Sequence, residues 1–252
     1  MSVTHDTSEL TPITAVVVGC GGIGYRLAEP LTRLLAARPD SQLFLIDGKA
    51  VKPDNVSRQH GVDVIGLNKA EALAARLTRL VGPEKVRITA IPFYFDRPDA
   101  AQQRPWLELP HPHVFCGVDT AASRVFLEDR LATLPTVTLV SGGNEFFSGQ
   151  ATIWLRRDKR DLTPRPSQLD PDLRRHDQRL PSEIPCDENV VHYPQLGLAN
   201  DAAALAMLCL WYARVYAPQD KPTTSNYVTF DVRRAELYPA KRAAIASTTP
   251  VS

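Results

Sequence analysis

The sequence predicts an α/β fold: a doubly wound, mostly parallel sheet with a crossover loop and a C-terminal helix and strand extension. Three observations carry that prediction. An apolar, β-branched run, Ile13 to Val18, breaks into Gly19-Cys20-Gly21-Gly22-Ile23-Gly24 and then a helical stretch. A second apolar run, Leu43 to Ile46, ends on Asp47, and a third, Val114 to Val118, ends on Asp119. Strand, glycine turn, helix and strand in that order make a βαβ unit. Ligands of such sheets lie beyond the carboxyl ends of the strands, where Gly21, Asp47 and Asp119 converge.

The elements follow in chain order. Residues 1–11 are polar and read as a disordered N-terminus, with the domain proper spanning 12–238. The helix behind the glycine turn reaches about Arg38. Pro30 inside it removes one backbone hydrogen bond, so a kink is expected near Arg26. The polar stretch from Gly48 to Gln59 is too long for a plain connection. Gly66-Leu67-Asn68-Lys69 opens a helix to about Val81, with leucines and alanines at helical spacing. Strands are expected at Val86–Ile91 and Val114–Val118, then a helix over Ala121–Leu134 and a strand over Thr136–Val140. The turn Ser141-Gly142-Gly143-Asn144 and the strand Gln150–Leu155 come next. Residues 156–185 are dense in Arg, Asp and Pro with almost no apolar periodicity, and read as a mobile crossover loop ending at Cys186. Leu198 to Ala213 is apolar but interrupted by Asn200-Asp201 and too short to span a bilayer, so it reads as a buried helix. Asn226 to Val232 alternates like a late strand, and 239–252 reads as a tail.

Composition narrows the function classes. The 252 residues are 44% apolar and 23% charged, with a net charge of +1. That balance gives no reason to expect nucleic acid or membrane partners. The four cysteines lie far apart without a C-x-x-C pair, which argues against a disulfide framework or structural zinc and for reduced thiols in the cytoplasm. No basic n-region precedes the first apolar run, so no signal peptide is expected. Cys20 reads as a small filler within the turn, and Cys116 and Cys209 as core thiols.

The glycine turn, opening a helix whose first N–H groups are unpaired, is an anion cradle. Asp47 is placed to accept hydrogen bonds from ribose hydroxyls. Together they indicate a nucleotide without saying which. An NAD-dependent oxidoreductase fits this first unit, but leaves Asn55, Arg58 and Lys69 unused and offers no acid/base pair for hydride transfer.

Several blocks in order carry a resemblance to the ThiF/MoeB family, the adenylating fold of ubiquitin-activating-type enzymes. The G-x-G-G-x-G pattern is met by Gly19, Gly21, Gly22 and Gly24. The stretch Asp-x-Asp-x-Val-x-x-x-Asn-x-x-Arg-Gln corresponds to Asp47 through Gln59, with Asn55 and Arg58 in place and Lys49 standing where the second Asp would be. Gly66 and Lys69 match a Gly-x-x-Lys block. Asp119 and Arg124 match an Asp followed five residues later by Arg. Ser141-Gly142 through Gly149-Gln150 matches a Ser-Gly stretch, and Cys186 and Pro194 match a Cys and Pro eight residues apart. A narrower likeness is to small ThiF-type proteins of bacterial operons that also encode a ubiquitin-like protein. The zinc-binding C-x-x-C pairs and the N-terminal arginine-bearing helix of relatives have no counterpart.

The resemblance implies a Rossmann-like fold and an E1-like activity using ATP and Mg²⁺, with no zinc. The substrate would be a ubiquitin-like or sulfur-carrier protein whose C-terminal glycine becomes an acyl-adenylate, within a homodimer and with a downstream acceptor. Lys69, Arg58 and Asp119 would carry the chemistry, with Asp119 also the metal ligand. Asp47 would hold ribose, Asn55 and Gln59 would orient phosphate or adenine, and Arg124 would join them. Cys186 would take over the acyl group as a thioester, although Glu183, Asp187 and Glu188 should raise its pKa. Plainer readings stand beside these. Asp119 could cap the helix after it, Arg58, Lys69 and Arg124 could be surface charges, and Cys186 could be a bystander. Two further functions remain open: adenylation of a peptide, small-molecule or tRNA-borne carboxylate, and a non-catalytic nucleotide-binding scaffold.

Overall fold

The computed structural model describes residues 11–56, 62–96, 109–175, 179–180, 183, 196–216 and 223–244. Its centre is the apolar run β1 (Thr14–Val18). Alternation puts Ala15 and Val17 in one buried cluster and Val16 and Val18 in another. A strand covered on both faces needs no polar side, which is why the run reads as continuous rather than alternating. β2 (Gln42–Ile46) lies parallel beside it, and β3 (Arg87–Ile91) beside β2. The chain then returns to the other flank of β1 with β4 (His113–Cys116) and β5 (Val137–Asn144), both parallel. The order β3-β2-β1-β4-β5 therefore has its switch point between β1 and β4.

Helices cover both faces. α1 (Gly22–Ala36), α2 (Lys69–Val81) and α5 (Gly197–Trp211) pack Leu27, Leu31, Leu73, Leu77, Met207 and Trp211 onto Val17, Leu43 and Leu45. α3 (Ala121–Leu131) covers the opposite face with Leu127 and Leu131. The indole of Trp211 donates to His113 Nδ1 at 3.0 Å, so α5 is tied to the start of β4.

Past β5 the sheet becomes antiparallel: β6 (Ser148–Arg157), β8 (Tyr227–Asp231) and β9 (Glu236–Ala240) extend it, with β7 (Arg160–Asp161) beside β6. The Rossmann-like α/β fold, its parallel core and its C-terminal extension match the expectation. Two details differ. Ser141 to Asn144, expected as a turn, continues β5, because β6 pairs with it residue by residue as far as Gly149. α1 contains Pro30, as expected, and continues past it to Ala36, with only the bond to the Arg26 carbonyl lost by chemistry. Pro239 and Ala240, expected in the tail, belong to β9, an edge strand where a proline removes no ladder bond that the sheet needs.

Within 156–185, read as a crossover loop, the described part holds β7, a short helix α4 (Pro166–Leu169) and a 3₁₀ turn at Pro171–Arg174. Pro166 and Leu169 are buried. The buried Glu128 of α3 accepts from Ser167 N–H at 2.8 Å, Ser167 Oγ–H at 2.5 Å and Arg174 Nη2 at 3.0 Å. One carboxylate thus ties two parts of the segment to α3.

Candidate functional site

Three strand ends and two helix starts meet at the carboxyl edge of β2, β1 and β4. β1 ends in the glycine turn, where Gly19 adopts φ +88°, a conformation that suits glycine. A side chain at Gly24 would collide with the Gly19 carbonyl oxygen, and Gly117, just past β4, packs against Gly24 N. The two turns at the switch point therefore touch backbone to backbone. Gly21, the residue before α1, faces open space. Gly22 lies against Asn200 of α5, so that a Cβ there would stand 2.5 Å from Asn200 Nδ2. Asn200 is fully buried, with its side-chain oxygen and nitrogen both without a hydrogen-bond partner.

Asp47 stands at the end of β2. Its Oδ2 accepts from Cys20 N–H and its Oδ1 from Lys49 N–H, both at 2.8 Å. One carboxylate thus braces the glycine turn against its own loop. Burial pushes its pKa up, and the Lys69 ammonium and these two amides pull it back. Lys69 is the first residue of α2 and only 7% exposed. Burial pushes its ammonium pKa down, while Asp47 and Asp119 favour the charged form.

Asn68, which sequence reasoning passed over, explains why Lys69 sits there. Its Oδ1 caps α2 by accepting from Ala70 N–H at 2.8 Å. Its Nδ2 donates to the Asp47 carbonyl at 2.8 Å, and Lys69 N–H donates to the Lys49 carbonyl at 2.9 Å. The start of α2 is thereby stitched to the end of β2. The usual signal of an N-cap, an Asn just before a helical pattern, could have marked the residue but not its second job. Tyr94 also escaped notice; its ring lies over Gly48, where no side chain would fit.

Asp119 lies past β4, and its Oδ2 is 3.9 Å from Lys49 Nζ. The cap of α3 is Thr120, which accepts from Ser123 N–H at 3.2 Å. Arg124 is half-buried rather than a helix-surface charge. It donates to the Val118 carbonyl at 2.7 Å and to Ser141 Oγ at 3.2 Å, joining the turn after β4 to the middle of β5. Asn55 is buried and its Oδ1 accepts from Lys52 N–H at 3.0 Å, closing its own turn. Arg58, Gln59, Cys186 and Pro194 lie outside the described residues. Cys20 and Cys116 are buried, as expected, whereas Cys209 is exposed, because it lies on the outer side of α5 rather than in the core.

The site thus gathers the glycine turn, Asp47, Lys69, Lys49 and Asp119. The sequence model of the ThiF family matches residues 4–242, nearly the whole chain. The chain belongs to the ThiF family. A mouse relative, adenylyltransferase and sulfurtransferase MOCS3, is 41% identical over 73 residues, 28% of this chain and 15% of the mouse protein. Among solved structures, Escherichia coli MccB with ATP superposes with a TM-score of 0.64 at 14% identity, covering 96% of this chain and 66% of MccB. PaaA superposes with a TM-score of 0.61 at 15% identity, covering 91% of this chain and 64% of PaaA. This ThiF-family chain therefore spans about two thirds of those neighbours and a small part of the mouse relative. The structural likeness establishes a shared fold. Among the described residues no helix is long and apolar enough to cross a membrane, and no three His, Cys, Asp or Glu side chains gather as a metal site.

Proposed function

We propose that this chain is an ATP-dependent, E1-like adenylating enzyme that activates the C-terminal glycine carboxylate of a small ubiquitin-like or sulfur-carrier protein. The observation that carries the reading is the buried Lys69 ammonium held beside the doubly bonded Asp47, behind the glycine turn. A nearly enclosed cation at that place suits a polyphosphate. Family membership and the neighbour crystallised with ATP support the choice of nucleotide.

In the reaction a carboxylate oxygen of the substrate attacks the α-phosphorus of ATP. The bond from that phosphorus to the bridging oxygen of the β-phosphate breaks, and pyrophosphate leaves with the electron pair. Both reactants are anionic, so fixed positive charge must offset their repulsion as charge builds in the transition state. Lys69 supplies it from one side and the unpaired N–H groups at the start of α1 from another. Asp47 keeps the turn in place and presents its outer edge to ribose. Arg58 would add a second cation, reaching the nucleotide within a homodimer, and Gln59 and Asn55 would shape the adenine side. Cys186 would then receive the acyl group as a thioester, its sulfur attacking the mixed anhydride and AMP leaving.

The residues present do not fit a protein-held Mg²⁺. Asp119 would be its ligand, but beside it Lys49 puts a positive charge where the family pattern has a second acid, and both oxygens of Asp47 accept from backbone amides. Hard divalent ions need several oxygen ligands.

ATP–pyrophosphate exchange tests the reading. Exchange that appears only with a partner bearing a C-terminal Gly-Gly supports carrier activation. Exchange driven by an unrelated peptide or small acid moves the enzyme to another carboxylate, a variant that the neighbour MccB, crystallised with MccA, keeps in view. Binding of ATP without exchange under any of these conditions would leave a nucleotide-binding scaffold.

A further inference from the structure

The strand order places β1 between β2 and β4. Lys49 belongs to the loop after β2, and Asp119 to the loop after β4. Their 3.9 Å contact therefore passes over the end of β1, above the glycine turn. The root of Lys49 is fixed on both sides. Its N–H donates to Asp47, and its carbonyl accepts from Lys69 N–H at 2.9 Å and Asn68 Nδ2 at 3.4 Å. Its head is not fixed, being 41% exposed and bound to a carboxylate that is 54% exposed. Such a pair is held weakly and exchanges partners at little cost. The Lys69 ammonium feels both Lys49 and Asp119, so the two lysines share one field.

We infer that Lys49 is a built-in counter-ion for the polyphosphate, taking the place of a protein-held divalent cation at this site. The inference rests on the ATP reading above. When ATP enters, the Lys49 ammonium leaves Asp119 for a phosphate oxygen over the glycine turn, one strand away from its own root. A lysine supplies one positive charge as a compact point donor with three N–H groups. Together with Lys69 it gives the cradle two cations without any metal ligand set. Binding of ATP by this chain is then insensitive to Mg²⁺, and the sensitivity returns when residue 49 becomes an acid.

The test is calorimetric titration of the full chain with ATP, once with excess Mg²⁺ and once with EDTA. Wild type should bind within about threefold in the two buffers. Lys49→Arg should behave like wild type, and Lys49→Gln should bind at least tenfold more weakly in EDTA. Lys49→Asp should bind weakly in EDTA and recover tenfold or more with Mg²⁺, since two carboxylates then flank the phosphates. Far-UV circular dichroism and melting curves of each variant establish that it is folded. A wild type that loses tenfold or more in EDTA, together with a Lys49→Gln variant indistinguishable from it, overturns the inference and leaves ATP binding standing. A wild type that binds ATP in neither buffer overturns the nucleotide reading and the inference with it.

Discussion

Asp47 does its work by accepting hydrogen bonds from two stretches of backbone at once, and a neutral isostere separates that work from charge. In Asp47→Asn one oxygen becomes an N–H₂ group that cannot accept from Cys20 or Lys49. An amide left unmet there costs about 1–3 kcal/mol, which a shift in the urea midpoint should register. Lys69→Met bears on the chemistry as well as the fold. It removes the cation that offsets the buried Asp47 carboxylate, so stability should fall, while pyrophosphate exchange falls by about 10² or more. A variant of Lys69 that exchanges pyrophosphate at the wild-type rate would remove this residue from the mechanism. Gly24→Ala tests the switch point itself. Its methyl group meets the Gly19 carbonyl, and an overpacked contact of this kind costs about 1–3 kcal/mol or more, to be read as a lower melting temperature.

At the scale of elements, α4 and the turn after it are tied to α3 through Glu128. Glu128→Ala should release α4 and the turn at Pro171–Arg174, at a cost of about 1.5–3 kcal/mol for each hydrogen bond to the charged group. Limited proteolysis within 156–175 should then accelerate well before the sheet unfolds; unchanged cleavage would show that the segment is held elsewhere. The same segment shows where sequence reasoning stops. β1, the glycine turn, α1 and β2 are legible because their signals are consecutive: an apolar run, glycines, helical spacing, an acid. Glu128 and its partners Ser167 and Arg174 are 39 and 46 residues apart, and nothing local in Ser167 or Arg174 announces that a carboxylate waits for them. β9 was missed for another reason. Leu237 and Tyr238 are exposed on an edge, so the strand has no buried face to impose alternation. In the site, Asp47, Lys69 and Asp119 could be placed because they follow strand ends or open a helix. The work of Asn68 could not, because its partners are backbone carbonyls, which every residue has.

Across the whole molecule, one titration couples distant elements. His113, on β4, is buried under Trp211 of α5, and the His111 ring lies tilted against it with ring centroids 4.3 Å apart. Burial, with Arg157 nearby, holds His113 down to about 3 and His111 to about 4. Both values lie below the unfolded value of 6.5, so the unfolded chain takes up protons that the fold refuses. Stability is therefore fully present above pH 6.5 and falls as the pH drops below it, by up to about 1.4 kcal/mol per pH unit from His113. Urea midpoints between pH 7.5 and 5 should decline in the wild type and decline less in His113→Gln, whose amide oxygen still accepts from the indole. Parallel slopes would place the acid sensitivity in other groups. A last consequence concerns time. Asn200 backs the glycine turn at Gly22, yet it leaves the ribosome roughly 180 residues later, which at about 5–20 residues per second is roughly 10–35 s. The cradle is made well before the helix that backs it. A nascent chain stalled before α5 should therefore bind ATP more weakly than the full chain, and equal retention of ATP by the two would show that α5 does not complete the cradle.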